Sequence, residues 1–347
     1  MFLSVSIAII LGLAASASLL FFLGKDPVAA YTLLAQSVFR DRYTFADIFV
    51  KATPLILTGL AFAFTYKASL FNIGAQGQFY VGSVTAAAVT LTISPAVPGP
   101  ISLVIIFAAA IAAGGVWGSL VGFAKAKFKS NEFLISMMST YVALAFMNYL
   151  LRTALMESKH EYPQTNPFAA PLHLPIILKG TRLHVGFILA VLIAVVIWFV
   201  LYRTPFGYRI RVVGQNADAA RLAGIDSNRI YVSTFFIAGA LAAAAGFTET
   251  NGVQHMLVQN FNPDLGAEGI AIAILANANP IGIIFAAILI GALKVGGTIM
   301  GQMSGIPSSI IAIMEGFVMI FVILSYFVRG WLETRRAKRE LRRKEAV

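Results

Sequence analysis

Residues 2–23 read Phe2-Leu3-Ser4-Val5-Ser6-Ile7-Ala8-Ile9-Ile10-Leu11-Gly12-Leu13-Ala14-Ala15-Ser16-Ala17-Ser18-Leu19-Leu20-Phe21-Phe22-Leu23, without one charge. At 1.5 Å per residue, 22 helical positions reach about 33 Å, enough to cross a hydrocarbon layer of ~30 Å. The stretch has no basic n-region, and apolar residues continue past Ala15-Ser16-Ala17, so it reads as a first spanning helix and not as a cleaved signal peptide. Similar apolar runs follow at about 52–66, 71–93, 101–124, 133–151, 184–202, 231–248, 268–278, 280–297 and 308–328. The run at 268–278 is too short to cross unaided, and Pro280 separates it from the next. The whole chain has the same character: 59% of 347 residues are hydrophobic and 12% are charged, about half the share of a soluble domain. An all-α polytopic membrane protein with about ten transmembrane segments is the expected fold. There is no cysteine, which excludes disulfides and thiolate chemistry.

The net charge of +11 is unevenly placed. Basic residues gather at 125–132, at 203–230 and from Arg329 onward. With ten crossings these segments share one side, and the positive-inside rule places it in the cytoplasm, together with both termini. Nucleic-acid binding is the weaker reading of the same charge.

A short pattern occurs twice. Asn72-Ile73-Gly74-Ala75-Gln76-Gly77 matches Asp264-Leu265-Gly266-Ala267-Glu268-Gly269, and each copy follows one apolar segment and opens another. On the expected topology the first copy lies toward the cytoplasm and the second toward the exterior, as in an inverted internal repeat built around a transport path. Amides and carboxylates at membrane depth need partners or a cavity. Asn72, Gln76 and Gln78 therefore mark a candidate polar seam in one half, and Asn262, Asp264 and Glu268 one in the other, with helix capping as the alternative for each. Glu315 lies inside an apolar run; it is either a cavity or dimer-contact residue or a buried neutral acid. Lys294 reads as snorkelling to the interface, with pairing to an acid as the other option. The four histidines lack metal-ligand spacing and read as solvated loop residues. No catalytic cluster and no metal site is evident. The outer loop with Pro163, Pro167, Pro171 and Pro175 reads as a stiff rim or a connector.

Within 203–230, Asn216 is a good N-cap, Asp218 suits the first turn, Ala217–Ala223 favour helix and Gly224 suits the C′ position. A helix of about two turns is expected there, resting on headgroups or docking another protein. Asp218-Ala219-Ala220-x-x-x-Gly224 resembles the Glu-Ala-Ala-x-x-x-Gly loop of ABC importer permeases. Phe71-Asn72-Ile73-Gly74-Ala75-Gln76-Gly77-Gln78 is similar to the Phe-Asn-Ile-Gly-x-x-Gly-Gln signature of the branched-chain amino acid/ribose/nucleoside permease family, simple sugar/nucleoside branch, and Asn277–Gly282 to its Asn-Pro-x-Gly turn. Gln76 departs from the Glu commoner at that position, which weakens any charge-based contact there.

The resemblance implies one transmembrane permease domain over 1–347. Its parts are a first helix and outer segment (1–50), a first repeat half (51–151), an outer loop and connecting helix (152–202), a cytoplasmic coupling loop (203–230), a second repeat half (231–328) and a basic cytoplasmic tail (329–347). It implies a second permease subunit, a cytoplasmic ATP-binding subunit and an extracellular substrate-binding lipoprotein as partners, in the inner membrane of a prokaryote, with lipid around the chain. ATP coupling would fall on Gly214, Asn216, Asp218, Ala219, Ala220, Arg221 and Gly224. No cofactor is expected in this chain: it has no Gly-x-x-x-x-Gly-Lys-[Ser/Thr], so ATP and Mg belong to the partner. The implied cargo is a nucleoside, with a ribose-like sugar or a riboflavin-type ligand as alternatives. An ion-coupled secondary transporter is the competing class.

Overall fold

The computed structural model describes residues 2–22, 24–305, 307, 310–321 and 324–325. The basic tail at 329–347 lies outside them. The described chain is helical: α1 (Phe2–Phe22), α2 (Pro27–Val38), α3 (Arg42–Tyr66), α4 (Ala75–Thr92), α5 (Gly99–Phe128), α6 (Glu132–Leu151), α7 (Gly186–Arg203), α8 (Pro205–Gln215), α9 (Ala217–Leu222), α10 (Ser227–Glu249), α11 (Leu265–Leu275), α12 (Pro280–Ser304) and α13 (Ile310–Phe321). A π-helical turn, Thr250–Gln254, extends α10. Among the described residues six helices are long and apolar enough to cross a membrane: α3, α5, α6, α7, α10 with its π extension, and α12. Ile10–Phe22 of α1, α11 and α13 are apolar but shorter. The protein is thus a polytopic helical membrane protein.

Two compact units are present. One comprises 1–44 and 292–347, the other 45–291. In the first, α2 starts where Asp26 caps the amides of Val28 (2.8 Å) and Ala29 (3.3 Å) and Pro27 presets the first helical dihedral. Leu20, Ala30, Met300, Ile311 and Met314 form its core. The Lys294 ammonium lies 3.4 Å from the Glu315 carboxylate, both largely buried. The expected snorkelling of Lys294 is therefore corrected: in low dielectric the two charges satisfy each other better than either alone would be.

The second unit is organised by α10, which packs against α4 and α5. Its long apolar stretch is mostly buried, whereas α6 and α7 turn apolar faces outward, including Tyr141, Val142, Leu192 and Val196. Lipid replaces a protein partner for such faces. The close packing has a plain cause. Glycines at 114, 118 and 122 repeat every fourth residue along one face of α5. A Cβ on Gly239 of α10 would collide with the Gly114 carbonyl oxygen, and one on Gly114 would come within 2.6 Å of the Gly239 carbonyl oxygen. Only hydrogen at both positions lets these backbones meet.

Loops sort to the two ends of this unit. At one end, the Ser69 hydroxyl donates to the Gly214 carbonyl (2.6 Å) and the Ser227 hydroxyl to the Ala217 carbonyl (3.1 Å), so the turn after α3 and the 203–230 segment are tied together. Lys127 and Arg229 share a groove at that end. The expected grouping of 125–132 with 203–230 is seen. At the other end the amide of Leu174 donates to the Asn251 carbonyl (2.9 Å) and the amide of Thr165 to the Leu257 carbonyl (2.9 Å).

Candidate functional site

The two copies of the repeated pattern touch. Gly82 of α4 sits against Ala243 of α10, and a Cβ on Gly246 would fall 2.6 Å from the Phe79 carbonyl oxygen, so α4 lies along the second half of α10. Residues 255–264 return after the π turn toward α4, so the two copies meet. The Gln76 amide nitrogen donates to the Asn262 carbonyl oxygen (2.8 Å), and its oxygen accepts from the Gly266 amide at the start of α11. One glutamine thus joins the motif of the first half to that of the second. The glycines explain the approach: a Cβ on Gly266 would fall 2.7 Å from the Gln76 backbone nitrogen, and one on Gly269 would fall 2.7 Å from Thr58 Cβ on α3. Phe79 and Phe261 stack beside this contact, with centroids 5.3 Å apart.

The network continues into a residue that the hydropathy pattern hides. Asn262 donates from its amide nitrogen to the Glu249 carboxylate (2.9 Å), and Glu249 is almost wholly buried at the end of α10. Glu249 stands one residue beyond an apolar run, where it reads as a loop acid. It belongs to the buried last turns of α10, where every residue from 241 to 252 is buried. Asn72 and Gln78 form a separate reciprocal amide pair at 2.9 and 3.3 Å, both fully buried, so each satisfies the other. Asp264 is exposed at the N-cap of α11 without a side-chain capping bond, and Glu268 is half-buried in its first turn, where a carboxylate favours the helix dipole. Glu315 lies in the other unit, paired with Lys294.

The segment at 203–230 holds two helices where one was expected. α8 is amphipathic and begins where the Thr204 hydroxyl accepts from the Gly207 amide (3.2 Å). α9 follows as the cap residues dictate: Asn216 Oδ1 accepts from the amides of Asp218 and Ala219, both at 3.0 Å. Gly224 takes a φ of +79°, and the Ile225 amide closes the turn on the Ala220 carbonyl at 2.9 Å. Gly214 lies so close to Lys67 and Ala68 that a side chain there would meet their backbone. α9 is therefore held rigidly while Asp218, Ala219, Arg221 and Leu222 stay exposed. Leu222 is 92% exposed; Ala220 is fully buried, so it supports the helix from beneath.

Three of the four histidines depart from the solvated reading, while His160 is exposed as expected. His173 and His255 stack with centroids 3.7 Å apart, and His184 is buried. The His184 pKa is pushed down to about 4, first by desolvation and then by His255. That of His255 is lowered by burial and by His173. Among the described residues no group of three His, Cys, Asp or Glu is placed to hold a metal.

A many-spanning helical bundle with buried polar groups and a capped, exposed helix at one end fits a transport protein of the permease class. The chain belongs to the family of branched-chain amino acid transport system permease components, whose model matches residues 44–323. It is an ABC transporter permease of the nucleoside/simple sugar branch. It is 35% identical to the guanosine ABC transporter permease protein NupP of Bacillus subtilis, with 93% of each chain covered. It is 31% identical to the glucose ABC transporter permease protein TsgB13 of Haloferax volcanii, covering 94% of this chain and 88% of that one. It is 27% identical to the nucleoside ABC transporter permease protein NupB of Lactococcus lactis, covering 95% and 93%. No solved structure matches the chain.

Proposed function

We propose that this chain forms the membrane path of an importer for nucleosides, driven by a separate ATPase subunit that docks on α9 and supplied by an extracellular binding protein. The observation that supports the path is Gln76, which holds Asn262 and Gly266 at once and so joins the two copies of the repeated pattern. Glu249, Asn262 and Gln76 offer exchangeable hydrogen bonds of the kind a nucleoside's hydroxyls and base edge can take up in passing. Asn72, Gln78, Asp264 and Glu268 shape the same route or brace it. Nucleoside is preferred as cargo because the guanosine permease relative is 35% identical, against 31% for the glucose permease. A simple sugar is the second reading, favoured by the glucose permease relative.

In this account α9 is the coupling helix. Gly214, Asn216, Ala220 and Gly224 fix its shape, and Asp218, Ala219, Arg221 and Leu222 face the ATPase. When the ATPase subunits close on ATP, α9 moves with them, and the Ser227–Ala217 hydrogen bond passes the motion to α10. The α9 end is then cytoplasmic, about ten segments cross the inner membrane, and 51–151 and 231–328 are the inverted halves. A second permease subunit, of this or another sequence, completes the path. Uptake of radiolabelled guanosine, adenosine and glucose by cells carrying the full set of subunits tests this. Nucleoside uptake that disappears with this chain supports it; glucose uptake alone would move the assignment to the sugar reading.

A further inference from the structure

A groove of about 890 Å³ runs between the last turns of α5 and the first turns of α10. Its mouth carries Lys127 and Arg229, and its walls are Phe123, Val232 and Phe236, reaching down to Ser119. From Lys127 to Ser119 is eight residues of α5, about 12 Å of helix. A cationic mouth over an apolar trough of that length has the shape of an amphiphile. We propose that it holds one anionic glycerophospholipid, the phosphate at Lys127 and Arg229 and an acyl chain along Phe123, Val232 and Phe236.

Charge complementarity selects this occupant. Segments 125–132 and 203–230 carry eight Lys and Arg against three Asp and Glu. Two of those acids are already engaged: Glu132 pairs with Lys125 at 2.8 Å, and Asp226 caps α10 and meets Arg229 at 3.1 Å. Lys127 instead places its ammonium over the rings of Phe123 and Phe128, at 5.5 and 5.8 Å from their centroids. A protein helix seated here would have to cover both cations. A lipid leaves them at headgroup level, where an anionic surface attracts each basic residue about fivefold.

The groove also has a route to function. Its α10 rim begins at Asn228, next to Ser227, whose hydroxyl holds the Ala217 carbonyl at the start of α9. A lipid seated between α5 and α10 braces the rim from which α9 hangs, so anionic lipid raises the efficiency of coupling. This consequence rests on α9 being the ATPase-docking helix; the lipid site itself does not.

The test uses the assembled transporter and native mass spectrometry with phosphatidylglycerol or phosphatidylcholine of identical chains as probes. The wild-type complex should retain phosphatidylglycerol preferentially. K127Q/R229Q, two exposed changes, should lower that preference about tenfold or more and leave phosphatidylcholine unaffected, while Ser233→Trp should exclude both lipids. Unchanged preference in K127Q/R229Q would overturn the site. So would a cysteine at Val232 that cross-links to the second permease subunit, because protein would then fill the groove. In vesicles, ATP-driven uptake should rise with phosphatidylglycerol content for wild type and stay flat for K127Q/R229Q. Equal lipid dependence of uptake in both would overturn the bracing role even where lipid binding is lost.

Discussion

Leu222 gives the docking of α9 a measurable size. The side chain is 92% exposed and packs on nothing that would be lost on replacement, so Leu222→Asp should leave folding unchanged. Full burial of a leucine contributes about 1.5–3 kcal/mol. If the ATPase subunit covers Leu222, replacement removes that amount, and a carboxylate adds a desolvation cost at the same spot. At 1.4 kcal/mol per tenfold, affinity for the ATPase subunit should fall about 10- to 100-fold. The assay is titration of the ATPase subunit onto the chain in nanodiscs, with ATP-driven uptake measured in parallel. Leu178→Asp is the control, because Leu178 is also exposed but lies in the hairpin near His184, away from α9. Wild-type affinity and uptake in Leu222→Asp, or equal loss in Leu178→Asp, would refute the reasoning.

Three further outcomes follow from the geometry. Gln76→Leu strands the Gly266 amide and the Asn262 carbonyl, each costing about 1–3 kcal/mol if left unpaired, so uptake should fall at least tenfold with the chain still in the membrane. Normal uptake would place the path elsewhere. Gly239→Leu drives a side chain into the Gly114 backbone and should destabilise the bundle by about 2–4 kcal/mol, read as a lowered melting temperature in detergent; an unchanged melt would mean that α5 and α10 separate freely. His184 is buried neutral with its pKa near 4 against an ordinary 6.5, so the unfolded chain binds the proton more readily. Its stabilisation is complete above about pH 6.5 and is lost as pH falls toward 4, at most roughly 3 kcal/mol. Melting temperature should drop between pH 7 and 5 for wild type and less steeply for His184→Gln; equal slopes would remove His184 as the cause.

Much of this was legible in the sequence because the signals are local. Asn216 and Gly224 bracket α9 with cap chemistry that needs no tertiary help, and the basic segments sort by side because lipid forbids charge between them. The repeated Gly-Ala-x-Gly pattern is visible as two copies, but not their meeting, which depends on the non-helical return at 255–264, where His255, Asn260 and Asn262 take positive φ. Glu249 is hidden because it stands one position past an apolar run, while the buried stretch of the helix continues to Gly252. α8 lacks a continuous apolar run because Arg209 and Arg211 interrupt it, and its start rests on the Thr204 cap and Pro205. His173, His184 and His255 are far apart in sequence, and only the folded loops stack two and bury the third.

The most direct test of the central claim is solute accumulation by the purified chain in vesicles, with and without the ATPase subunit, with ion gradients collapsed by ionophores. Nucleoside should accumulate only when the ATPase subunit, ATP and the binding protein are all present. Accumulation by the chain alone, driven by an imposed ion gradient, would contradict the account.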